Sequence, residues 1–133
     1  MKNIFAMHAA KYAHLGWQIF PQAPGAKTPI KGSAGLKESS ANRAQIQVWC
    51  KQYPDANIGM LCGLESKVCV IDIDARSGGH ETVSRLASQG FVFPPTVEAA
   101  SAGNGRHMYY AFDDRVPCPG PTSSAGTPRT RRR

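Results

Sequence analysis

Residues 68–74 read VCVIDID, a continuous apolar and largely β-branched run that closes on two acids one residue apart. Branched side chains such as Val and Ile pack well on a pleated surface, so this run is the strongest strand signal in the chain. Working outward, Ser77-Gly78-Gly79 supplies a turn, and residues 80–89 read as a helix with Val83 and Leu86 inward and Gly90 as its stop. Pro94 and Pro95 lead into a candidate strand over 96–101. A glycine-bearing loop over 102–106 then joins it to the strand HMYYAF at 107–112.

Upstream of the run, residues 58–62 form a brief apolar strand between Asn57 and Gly63. Before it lies a helix with Asn42 or Ser40 as its N-cap, an Ile46, Trp49 and Tyr53 stripe, and Pro54 limiting its end. Residues 22–40 are rich in Gly, Pro, Ser and Lys and read as a loop carrying Lys27, Lys31 and Lys37. Residues 17–20 read as a short strand ended by Pro21. Residues 3–15 read as a first helix, with Ile4, Phe5, Met7, His8, Tyr12 and Leu15 at helical intervals and Gly16 as its stop. Helices and strands alternate until a hairpin-like pair closes the series. The expected class is α+β, a mixed β-sheet flanked by helices.

The chain has 133 residues, which fits one domain with one core. Its 41% hydrophobic and 19% charged content excludes a disordered or fibrous protein. No apolar run approaches the roughly 20 residues that cross a bilayer, so no membrane role is expected. His8, Lys11 and His14 break the N-terminal segment too often for a signal peptide. A cytoplasmic protein is the expectation. Cys50, Cys62, Cys69 and Cys118 contain no CxxC pair, which argues against a structural zinc site.

The 16 basic and 9 acidic residues leave a net charge of +7, which invites a nucleic-acid partner. Five of those bases are Arg115, Arg129, Arg131, Arg132 and Arg133, in a stretch without acids. The remaining 11 against all 9 acids give residues 1–114 a net charge of only +2. From residue 116 the composition changes to Pro, Gly, Ser, Thr and Arg without periodicity. The expected organisation is a folded unit over 1–115 and a disordered basic tail over 116–133.

Two constellations could carry chemistry. Asp72 and Asp74 stand at the end of the apolar strand, and period-two alternation places both carboxylates on one face, about 7 Å apart. Paired carboxylates at that spacing can share a hard cation such as Mg2+, which takes oxygen ligands and keeps waters for substrate phosphates. The plain alternative is a strand that ends at the surface with two solvated acids. The second constellation is Ser101-Ala102-Gly103-Asn104-Gly105-Arg106-His107. Gly103 and Gly105 permit a close backbone approach to a ligand, Arg106 offers a planar fork for phosphate, and His107 a second donor. Its plain alternative is a tight hairpin. The Walker A pattern, the dinucleotide fingerprint, HExxH and GxSxG are all missing from the sequence.

Together these pieces resemble the bifunctional DNA primase/polymerase N-terminal domain of the archaeo-eukaryotic primase superfamily. The resemblance runs over residues 9–112 through KYAHLGWQIFP, GAKTPIKG, QIQVWCKQYPDANIGMLCG, VCVIDIDARSGGHET and SAGNGRHMYYAF. It implies a primase-like catalytic core that performs template-directed nucleotidyl transfer with two Mg2+ (or Mn2+) ions. Asp72 and Asp74 match the metal-binding motif, and His107 matches the motif that contacts the incoming nucleotide. Ser101, Gly103, Gly105 and Arg106 become candidates for holding the triphosphate, and Lys27 and Lys31 for nucleic-acid contacts. The implied partners are nucleoside triphosphates and a DNA template or primer. A helicase is the further partner in an intact replication protein of a plasmid, phage or other mobile element.

The family's core continues to a third motif, a strand whose aspartate completes the metal site. After His107 this sequence offers only Asp113 and Asp114, directly behind the second-motif strand, and then VPCPGPTSSAGTPRTRRR. It reads on that ground as a C-terminally truncated or frame-shifted copy, and whether two carboxylates suffice for transfer stays open. The alternatives are a non-catalytic nucleotide- or DNA-binding module and, further off, a DxD glycosyltransferase acting on a nucleotide sugar.

Overall fold

A computed structural model of the chain describes residues 3–116. The first half builds on helix packing. Helix α1 (Ile4–His14) buries Phe5 and Ala9 with Tyr12 and Ala13 packed alongside, the i, i+4, i+7, i+8 stripe of a single face. Met7 and His8, which the sequence placed on the apolar stripe, lie on the exposed side of that helix, as does Leu15 just past its end. Helix α2 (Arg43–Gln52) starts where Asn42 accepts the backbone N–H groups of Ala44 and Gln45 at 2.9 and 3.3 Å. Those two bonds satisfy donors that a helix start leaves unpaired. Ile46 and Trp49 face inward from α2, and Trp49 meets Phe5 edge-on with ring centroids 6.3 Å apart.

Strand β1 (Gln18–Gln22) pairs antiparallel with β2 (Asn57–Leu61) beneath these helices. The strand runs through Pro21 instead of stopping there. Ile19 exchanges backbone hydrogen bonds with Ser40 on the side away from β2. N–H groups two residues apart on a strand point the same way, so the donor that Pro21 lacks is one β2 never needed. Phe20 lies across Gly59, its register partner, where any side chain would collide with the ring. Phe5, Ala9, Ile19, Phe20, Ile46, Trp49 and Ala56 form the core of the domain.

The second half carries β3 (Val68–Ile73), α3 (Gly79–Ser88), β4 (Val97–Ser101) and β5 (Gly105–Ala111). Its sheet has the order β3-β5-β4, with both pairings antiparallel. The α+β class holds, while the single mixed sheet of the sequence reading is replaced by two antiparallel sheets. The reason is topological. β3 and β4 run in the same direction across the α3 connection, but β5 inserts between them, so like-directed strands never become neighbours. The split βαβ arrangement satisfies the helix–strand alternation without a parallel ladder.

The two sheets join closely. The Ser66 hydroxyl accepts the Gln18 N–H at 2.9 Å and donates to the Leu61 carbonyl, and Gly63 pairs with Val68. Tyr12, Trp17 and Tyr109 stack in a row, with centroid separations of 5.4 and 6.0 Å and nearly parallel planes. Among the described residues no helix is long and apolar enough to cross a membrane. The tail expected from residue 116 falls, from 117 onward, outside the described residues.

Candidate functional site

Register decides the geometry here. Residues directly opposite on antiparallel strands share a face, and Asp72 stands opposite His107 while Ile73 stands opposite Arg106. The Asp72 carboxylate and the His107 imidazole meet across the β3–β5 ladder, Oδ1 to Nε2 at 3.4 Å. Asp72 is 65% exposed and His107 34% exposed, so the pair faces solvent and can receive a ligand. Tyr109 lies two residues along β5 on the same face, locked in its stack with Trp17. Burial pushes the Tyr109 phenol up, and it stays protonated at neutral pH.

Asp74 sits differently. β3 ends at Ile73, and Asp74 becomes the cap of a single 3₁₀ turn over Ala75–Ser77. Its Oδ1 accepts the Arg76 N–H at 2.9 Å and its Oδ2 accepts the Ser77 hydroxyl at 3.2 Å. The Arg76 backbone donor, followed by Ser77 and the Arg76 charge, holds the carboxyl below the usual carboxylate range. Asp72 and Asp74 still line one shallow cleft of about 270 Å³, together with Ser77, Thr82, Leu86 and Phe93. The Gly-Gly pair behind the acids is structural. Gly78 has φ 76°, and a Cβ on Gly79 would lie 2.7 Å from the Asp74 carbonyl oxygen and 2.9 Å from its nitrogen.

The second motif divides across the sheet. Arg106 points to the face opposite His107, where its Nη2 binds Glu98 at 2.9 Å. Its Nε is buried and finds no hydrogen-bond partner among the described residues. Gly105 packs so closely that a side chain there would meet Ser101 and, at 2.9 Å, the Ile73 carbonyl oxygen. Gly103 takes φ 71°, a conformation that favours glycine, and the stem of Arg76 lies against it. His80, read from the sequence as an ordinary helix or loop residue, brings its Nε2 to 2.7 Å from the Asn104 carbonyl oxygen. Arg76 and His80 thus join the loop behind β3 to the loop before β5. The sequence places both within six residues of Asp74, but only the β3–β5 register brings the loops together.

The acids behind the second motif do not reach this site. Asp113 is held by Arg115, with Nη2 to Oδ2 at 2.6 Å, and that arginine drives its carboxyl down to about 2. Lys27 and Lys31 are exposed in the loop after β1, and no hydrogen bond or ion pair among the described residues connects them to Asp72, Asp74 or His107.

A family model described as the bifunctional DNA primase/polymerase N-terminal domain, Prim-Pol, matches residues 9–133. The chain belongs to this family. No curated protein and no solved structure matches it. Membership gives the domain a DNA primase/polymerase-type function, with nucleotides and DNA as its general substrates. The prim-pol acids also suit a divalent cation. Among the described residues Asp72 pairs with His107, and each Asp74 oxygen accepts one hydrogen bond and keeps lone pairs free. Among the described residues no group of three or more His, Cys, Asp or Glu side chains gathers to hold a metal. A cation at this prim-pol site would draw on these two carboxylates and fill its other positions with water or phosphate oxygens, as Mg2+ commonly does.

Proposed function

We propose that the chain carries the nucleotidyl-transfer site of a DNA primase/polymerase, working on a DNA template in the replication of a plasmid, phage or other mobile element. The observation that carries this reading is the Asp72–His107 pair, two motif residues set opposite each other on an open sheet face. Asp72 and Asp74 would hold Mg2+ or Mn2+, which would supply positive charge beside the reacting phosphate. His107, beside Asp72, contacts the incoming nucleoside triphosphate. Lys27 and Lys31 are assigned to the nucleic acid by charge and exposure alone, and a helicase is the natural further partner in a cytoplasmic replication assembly.

Primer extension with Mg2+ and a DNA template tests the reading. Asp72→Asn and His107→Ala should each lower synthesis by at least about 100-fold, the scale set by the loss of a group that acts directly in an active site. Undiminished synthesis by Asp72→Asn would remove the assignment.

A second reading, nucleotide or DNA binding without transfer, is favoured by one feature. The described site offers two carboxylates, one of them already occupied as a turn cap. Binding of triphosphate by a chain that extends no primer would select it.

A further inference from the structure

We propose that Arg76 is the residue that grips the phosphates of a nucleoside triphosphate at this site. The inference rests on the nucleotidyl-transfer reading above and deepens it by assigning the phosphate-binding group.

Three observations lead to Arg76. First, its Nε lies 3.6 Å from Asp74 Oδ1, while the side chain is 72% exposed. No hydrogen bond among the described residues uses its terminal nitrogens. A guanidinium presents five donors in a rigid fork that matches phosphate oxygens in pairs, and here the outer part of that fork faces solvent. Second, the stem passes beside the glycine loop. Arg76 Cδ would lie 3.5 Å from a Cβ on Gly103, so the chain runs flat across the glycine loop. The His80–Asn104 contact at 2.7 Å ties the same two loops together. A stem beside the loop has less freedom to lose when its head group binds, which favours affinity.

Third, the competing arginine is engaged elsewhere. Arg106, nominated by the sequence, holds Glu98 at 2.9 Å on the face opposite His107. Arg76 instead projects from the turn that Asp74 caps, directly behind the acids. A triphosphate bound to a cation on Asp72 and Asp74 brings several negative oxygens to that point. Without a cation beside them those oxygens would face two carboxylates, and Arg76 supplies the balancing positive charge.

The test is calorimetric binding, with Mg2+, of a nucleoside triphosphate whose α,β-bridging oxygen is replaced by nitrogen, so that binding is read without turnover. The 133-residue chain is compared with Arg76→Gln, which keeps a stem over Gly103 but removes the charge, and with Arg76→Lys, which keeps the charge without the fork. Arg43→Gln, on α2, is the control for charge loss alone. Arg76→Gln should bind on the order of 10- to 100-fold more weakly, Arg76→Lys should recover part of the loss, and Arg43→Gln should stay near the parent. Unchanged melting temperatures establish that the variants fold. Parent-like affinity in Arg76→Gln overturns the inference and leaves the transfer reading intact provided Asp72→Asn lowers the Mg2+-dependent affinity. An equal loss in Arg43→Gln also overturns it, since long-range charge would then suffice. A parent chain that binds no triphosphate overturns both.

Discussion

Asp74 combines two tasks in one carboxylate. It caps the turn behind β3 and it faces the cleft that Asp72 also lines. The capping bonds act chiefly on its charged form, which explains why its carboxyl titrates below the ordinary value of 3.8. A group whose pKa is depressed by folding contributes stability that is complete above its unfolded pKa and disappears as pH falls through its folded pKa. Asp74 therefore remains ionised throughout the neutral range, and a cation binding there displaces no proton from it. Carbon-detected NMR titration should place its midpoint below that of the same residue in the urea-unfolded chain. A midpoint at or above 3.8 would contradict the capping account. The spacing of the two acids is legible in the sequence. Their inequality is not, because it depends on β3 ending at Ile73 and releasing Asp74 into a turn.

Among the elements, α2 is the one whose start is most clearly written. Asn42 or Ser40 followed by a stripe at Ile46, Trp49 and Tyr53 predicts its cap and its buried face; Asn42 is the cap, Ile46 and Trp49 are buried, and Tyr53 stands half-buried just past the helix end. Asn42→Ala should cost about 1 kcal/mol in urea unfolding, the usual effect of removing a side-chain cap. A change under a few tenths of a kcal/mol would mean that water replaces the bond at no loss. Other elements were harder to read, for identifiable reasons. Pro21 continues β1 because its missing donor points away from β2, a fact of pairing and not of propensity. Met7 and His8 fit a helical spacing as well as Ala9 does, yet Ala9 faces α2 and Met7 faces water. Small residues where two helices meet carry little hydrophobic signal. Helix α3 has no buried residue, and its apolar Val83 and Leu86 are only half-buried. Its place is fixed more by the close approach of Gly79 to Asp74.

Across the molecule, stability and chemistry are concentrated in different halves. The larger buried cluster lies among α1, α2 and the β1–β2 pair, whereas the motif residues lie on the β3-β5-β4 sheet, which buries only Val68, Cys69, Ile73 and Met108 among its described hydrophobic residues. Trp49→Ala should cost about 3–5 kcal/mol, the range for removing a large buried aromatic. Chemical denaturation monitored by far-UV circular dichroism measures this, and a loss below about 1 kcal/mol would place the core elsewhere. The two halves are linked by Ser66 and by the Tyr12–Trp17–Tyr109 row, so the site sheet is anchored to the core at one side.

The net charge of +7 advertises a nucleic-acid partner, yet five of its bases lie from Arg115 onward and the body is nearly neutral. The local pattern by itself determined the helices, the strands, the paired acids and the family, because periodicity, caps and motif spacing act over a few residues. Only the tertiary structure decided that Asp72 meets His107, that Arg106 turns away to Glu98, and that Arg76 and His80 reach the second loop. The physical reason is register. A slip of one residue between β3 and β5 would put Asp72 and His107 on opposite faces and shift the loop before β5 away from Arg76 and His80, and register is set by the packing of the whole sheet.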